Sequence, residues 1–187
     1  MNKNKNFYFL IIDLEATCSK DKSIPKEEME IIEIGAVMLN KATWAIEAEF
    51  QQFVQPVRHS QLTPFCTELT SIRQEDVADA PKFLEAISFL KEWMDAYANH
   101  IFCSWGDYDK NQFIQDCEFH NVPYPFDSNH KNLKKEFSEY LGVSKRFGMP
   151  QALQHLGLEL KGTHHRGIDD ARNIAAIYGS INTTKLS

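Results

Sequence analysis

Apolar residues open the chain as a block. Phe7 to Leu14 is interrupted by a single acid and is rich in aromatic and β-branched side chains, which predicts a strand buried on both faces. Ser19 to Glu30 is charged and carries Pro25, the pattern of a loop. Ile31 to Leu39 reads as a second strand, Asn40 to Trp44 as a turn, and Ala45 to Val57 as a third strand ended by Pro56. Leu62 to Asp79 reads as irregular or as short helices. The period then lengthens. Phe83, Ile87, Leu90, Met94 and Tyr97 recur at helical spacing, so Pro81 to Tyr97 is expected to be a helix. His100 to Trp105 is a short apolar strand. Asp109 to His120 is a helix with Phe113, Ile114 and Cys117 inward, broken by Pro123 and Pro125. Asn132 to Leu141, Gly148 to Leu158 and Ile168 to Ile181 complete the helices. Ile174, Ala175, Ile177 and Tyr178 form the inner stripe of the last one. Strands first and helices later imply an α/β fold, a mixed sheet covered on its faces. A single domain over residues 1–182 is expected, with residues 183–187 as a frayed tail and fraying from about Ser180.

Composition narrows the partners. The 187 residues include 13 Phe, 6 Tyr and 3 Trp and are 43% apolar, enough for one core without staples. The net charge of −6 excludes a broad basic surface that clamps duplex nucleic acid by charge alone. It is compatible with a metal site, where acids gather and the ions invert the field. Lys131, Lys134, Lys135, Lys145 and Arg146 form a modest basic cluster, but Glu136 and Glu139 dilute it, and a solvated helix face is the expectation. Cys18, Cys66, Cys103 and Cys117 form no C-x-x-C pair, so reduced buried thiols are expected. The first apolar run is too short to be a signal or a membrane span, which points to a soluble cytoplasmic protein with no membrane partner.

Three acidic segments carry the candidate chemistry. Asp13 and Glu15 lie two apart at a strand end and so point the same way, toward one metal site. The plainer reading is a strand meeting solvent. Asp109 begins a helix, where aspartate is a favoured cap, and Asp107 is the alternative acid. Phe113, four residues on, would lie beneath Asp109 and anchor it. Asp170 falls in the first turn of the last helix. His165 sits on the flexible approach to it, where a base is free to swing toward a water. Histidine titrates near neutrality and suits that work; His164 is the alternative base, and a surface histidine with Asp169 as a cap is the plainer reading. Jointly the four carboxylates suit two hard divalent cations, one ionising a water and the other stabilising a leaving 3′-oxygen.

Asp13-x-Glu15, then Asp109, then His165-x4-Asp170 resembles the DEDD exonucleases of the DnaQ-like superfamily, in their histidine variant. Ile12 to Cys18, Phe50 to Val54, Leu62 to Thr70 and His165 to Ala175 are similar to the Eri-1-like branch. That branch holds the histone-mRNA 3′ exonucleases and the KapD-like proteins. The resemblance implies an RNase H-like mixed sheet flanked by helices. It implies 3′–5′ release of nucleoside monophosphates from single-stranded RNA or DNA ends, RNA before DNA. It puts Asp13, Glu15, Asp109 and Asp170 on two ions, Mg²⁺ or Mn²⁺, with His165 as general base. Phe65 and Tyr108 would border the terminal base, Leu14, Ala16 and Thr17 would line the same pocket, and the Ala16 backbone would lie close to the terminal sugar hydroxyl. Animal members of the branch carry an added nucleic-acid-binding domain that is not found in these 187 residues, and Asp107 adds an acid to the second motif. Two rival readings are a regulatory or binding module on the same fold, and a proofreading subunit of a polymerase.

Overall fold

The computed structural model describes residues 6–183. The three predicted N-terminal strands form an antiparallel meander: β1 (Tyr8–Ala16), β2 (Ile31–Asn40) and β3 (Ile46–Phe53). Two short helices, α1 (Pro64–Thr70) and α2 (Gln74–Ala78), and a longer one, α3 (Phe83–Asp95), lead to β4 (His100–Ser104). The helix α4 (Tyr108–His120) and a three-residue strand β5 (His130–Asn132) follow. Then come α5 (Leu133–Tyr140), α6 (Met149–Leu156) and α7 (Gly167–Thr183). Among the described residues the sheet runs β3-β2-β1-β4-β5. β1 lies antiparallel to β2 and parallel to β4, so the C-terminal ends of β1 and β4 open on the same side.

Alternation along β1 feeds two cores. Leu10, Ile12 and Leu14 pack with α3 and α4, and Phe9 and Ile11 pack with α5, α6 and α7. Both faces are covered, which is why this strand reads as a continuous apolar run.

Four expectations are corrected. β3 ends at Phe53 rather than Val57, because the amides of Val57, Arg58 and His59 turn to the buried Glu30 carboxylate. The third helix begins at Phe83, two residues later than expected. Ile114 is 38% exposed, and the buried face of α4 is instead Gln112, Phe113, Asp116 and Cys117. Its polar members bind backbone: Asp116 accepts from Ile31 N–H at 2.7 Å, and Gln112 donates to Met29 O at 2.8 Å. The last helix continues through Thr183, past the position where fraying was expected, and residues 184–187 lie outside the described residues. The strand β5 is short and polar and has no sequence signal.

Candidate active site

Asp13 and Glu15 fall on the β1 face that carries Phe9 and Ile11, the face α7 covers. Glu15 is 7% exposed and Asp13 partly buried. Asp109 comes from the first turn of α4, seated over the fully buried Phe113, and its Oδ1 accepts the Leu14 N–H at 3.0 Å. That bond joins α4 to the C-terminal end of β1. Asp107 occupies the N-cap position but turns elsewhere: its carboxylate accepts from Asn132 Nδ2 at 3.0 Å and lies 3.8 Å from Lys110 and His130.

Asp170 is delivered by the N-terminus of α7, and close backbone contact sets its place. A Cβ on Gly35 would stand 2.0 Å from the Gly167 carbonyl carbon, and a Cβ on Gly167 would stand 2.9 Å from Asp13 O. Only glycines allow β2 and α7 to approach this closely. Glu33, fully buried on β2, accepts from Gly167 N–H (3.0 Å), Arg166 Nε (3.2 Å) and Gln51 Nε2 (2.7 Å). The sequence reading passed over Glu33. The signal was present, since an acid inside a strand buried on both faces must have partners.

The approach to α7 is pinned rather than loose. Asn173 holds Lys161 by both backbone groups, and Asp169 accepts from Thr163 N–H at 2.9 Å. Asp169 thus ties down the loop while Asp170 faces the cleft. His165 takes a left-handed backbone (φ +64°) and gives its N–H to Asp170 Oδ2 at 3.0 Å. His164 Nδ1 stands 2.9 Å from the same oxygen, and the two imidazoles stack at 3.9 Å.

Carboxylate oxygens of Asp13, Glu15 and Asp170 lie within 4.8 Å of one another, and so do donor atoms of His164, His165 and Asp170. Burial, then Asp109 and Glu15, pushes the Asp13 carboxyl well above the usual carboxylate range. Burial, then Asp170, raises Glu15 to about 9. Asp109 rises only to about 6, because burial is opposed by the Leu14 N–H. Burial also raises Asp170, opposed by the His165 N–H and by His164. His165 is lowered by burial and then by His164, with Asp170 opposing. One observation tests this site for a cation: Asp170 Oδ1 is buried without a hydrogen-bond partner among the described residues. A free lone pair beside crowded carboxylates fits a hard divalent ion, which would satisfy the oxygen and the repulsion together.

The carboxylates and both histidines line a cleft of about 370 Å³. Leu14, Ala16 and Tyr108 line it too. Thr17 and Phe65 do not: the buried Thr17 hydroxyl accepts the Glu30 N–H at 2.9 Å, and Phe65 sits half-buried on α1. Leu69, one turn beyond Phe65, faces the cleft instead, as do Met29, Trp105 and Lys134, none of which the sequence reading had placed there. A larger cavity of about 690 Å³ between β3 and α7 is mostly apolar and holds no such acid cluster. Among the described residues no helix is long and apolar enough to cross a membrane.

A mixed sheet in this order, with acids brought to the end of its central strand by one helix on each face, defines the RNase H-like exonuclease fold. Residues 10–178 match the exonuclease (RNase T) family model, and the chain belongs to that family. It is 39% identical over 178 residues to ERI1 exoribonuclease 3 of Homo sapiens, covering 91% of this chain and 52% of that protein. The chain therefore spans about half the length of the curated relatives it matches first. The nuclease domain of 3′hExo, a DEDDh family member solved bound to rAMP, superposes with a TM-score of 0.90 at 31% identity, covering 96% of this chain and 94% of that one. A 3′-exonuclease solved in recognition of the histone mRNA stem-loop 3′ end gives 0.87 at 31% identity, over 94% of this chain and 63% of that one.

Proposed function

We propose that this chain is a single-domain, metal-dependent 3′–5′ exonuclease that releases nucleoside monophosphates from single-stranded ends, RNA in preference to DNA. The observation that carries the proposal is the cluster of Asp13, Glu15 and Asp170, with Asp109 beside it and one Asp170 oxygen unpaired. These four residues would hold two divalent cations, Mg²⁺ or Mn²⁺. When bound, such ions lower the pKa of water and stabilise charge on a leaving oxygen.

The chain's own residues supply the rest. His165, lowered below its ordinary value, is unprotonated at neutral pH and accepts the proton of the attacking water. The water oxygen bonds to phosphorus, the bond to the 3′-oxygen of the penultimate nucleotide breaks, and the terminal nucleotide leaves as a 5′-monophosphate. Tyr108 stacks on the terminal base, with Leu14 and Leu69 beside it. The Ala16 backbone lies at the sugar. An RNA substrate is supported by the relatives, named exoribonucleases or solved with rAMP. The free cysteines suit the reducing cytoplasm.

A time course on end-labelled single-stranded RNA and DNA, with Mg²⁺, Mn²⁺ or EDTA, tests this. The expected result is stepwise shortening from the 3′ end, faster on RNA, lost with EDTA and in Asp13→Asn. Internal cleavage, or undiminished cutting by Asp13→Asn, would overturn the assignment.

A further inference from the structure

Four residues of the basic cluster around α5 already have partners. Lys131 pairs with Glu136, and Lys135 Nζ lies 3.8 Å from Glu139. Lys145 stands over the Phe147 ring at 5.1 Å, and Arg146 donates to Ser144 O at 3.4 Å. On the neighbouring helix Lys110 lies 3.8 Å from Asp107. Lys134 differs. It is half-buried, lines the catalytic cleft, and its ammonium makes no hydrogen bond or ion pair among the described residues. It acts on Asp109 only through its field. Gly106 passes beneath it at φ +121°, a backbone that L side chains rarely adopt, and an added Cβ there would lie 3.5 Å from Nζ.

Besides the carboxylates and histidines, the lining of the cleft comes from two arms. Ala16, Cys18, Met29, Leu69 and Tyr108 make one arm, near the end of β1 and α1; it is largely apolar and suits a base. Trp105, Lys134, Gly148 and Met149 make the other, where β4, α5 and the N-terminus of α6 meet. The N-terminus of α6 adds partial positive charge to that wall. On the exonuclease reading, with the last base in the apolar arm and the scissile phosphate at the carboxylates, the second arm is the way left for the strand, and Lys134 is the cation that lines it.

We propose that Lys134 binds the phosphate immediately 5′ of the scissile one, as the cleft's contact for the outgoing strand. The assignment rests on the exonuclease reading and deepens it. It would also explain how an acidic protein grips a polyanion: a cation without an ion pair among the described residues lines the cleft, in place of a basic surface.

Two substrates separate this role from all others. The dinucleoside monophosphate ApA has only the bond to be cut, and the trinucleotide ApApA adds one phosphate upstream. Each is assayed with wild type, Lys134→Gln and Lys134→Arg. Lys134→Gln is expected to lose about tenfold in kcat/KM on ApApA, mostly through KM, and to lose clearly less on ApA, where only its field on Asp109 is removed. Lys134→Arg should retain most of the trinucleotide activity. On longer RNA the slope of log kcat/KM against log salt should be shallower in Lys134→Gln by about 0.7, one phosphate's worth for a single strand. An equal loss on ApA and ApApA would place Lys134 at the reacting centre or in the fold and overturn the proposal. No loss on either substrate would also overturn it. If wild type cuts neither these substrates nor longer RNA with Mg²⁺ or Mn²⁺, the exonuclease reading fails and takes this assignment with it.

Discussion

Two stacked imidazoles flank Asp170, and the backbone gives them different work. His164 spends its Nδ1 on the Asp170 carboxylate, whereas His165 contributes a backbone N–H to the same oxygen and keeps its ring for the cleft. His165→Ala should therefore lower kcat by about 10²–10⁴ with KM little changed. His164→Ala should act mainly by raising the metal concentration needed for half-maximal rate. Steady-state kinetics across a metal titration separate the two, and the reverse pattern would exchange their roles. Because His165 is lowered from its ordinary 6.5, it stays unprotonated as pH falls toward that value. The acid limb of kcat should thus lie below pH 6.5 and disappear in His165→Ala. The acids and the pair of histidines were legible from spacing. Sequence reading preferred His165 to His164 as the base; the left-handed φ of His165, a residue other than glycine, is announced by no local pattern. Nor was Leu69 legible, since α1 is short and which of its faces meets the cleft is settled by the burial of its Cys66 with Ile32, Ile72 and Val77.

Elements set the site through one contact. The α7 N-terminus rests on β2 at Gly35, is held by Glu33, and brings Asp170 over Asp13 and Glu15. Gly35→Ala would drive a methyl group into the Gly167 backbone, and overpacking of this kind typically costs about 1–3 kcal/mol. Denaturant unfolding should show that loss, and activity should fall further than the unfolded fraction explains, because Asp170 moves with the helix. Full activity in a stably folded Gly35→Ala protein would mean that α7 does not position the metal site. At this scale the sequence was read well where the buried positions are mostly apolar, as in β1, β2, α3 and α7. The reading failed where buried positions are polar. Asp116 and Gln112 occupy the inner face of α4 because they bind the backbone ahead of β2, so apolar periodicity turned Ile114 the wrong way. His130, Lys131 and Asn132 become a strand only because β4 offers an edge to pair with.

For the whole molecule, the site opposes the fold that carries it. The Glu15 carboxyl titrates near 4.5 ordinarily and about 9 here, so between those values the folded protein binds more protons than the unfolded chain. The stability this gives is present below pH 4.5 and is lost as pH rises through 9. In EDTA the melting temperature should fall between pH 5 and 9. Glu15→Gln should flatten the fall and melt above wild type at pH 8, with each 1 kcal/mol worth about 2–4 °C. Mn²⁺ should raise the wild-type melting temperature by more than that of the variant. A Glu15→Gln protein that melts below wild type in EDTA would show that the carboxylates do not strain the metal-free fold. The order of these acids along the chain matters in another setting. Asp13 and Glu15 are made first and Asp109 midway, while His164, His165 and Asp170 come only with α7 and the loop before it. A ribosome releases the early strands first. Until α7 crosses β1 and β2, the nascent chain holds two sides of the cleft without the third. On the proposed reading, the site that would cut RNA is thus not assembled on its own template until α7 closes.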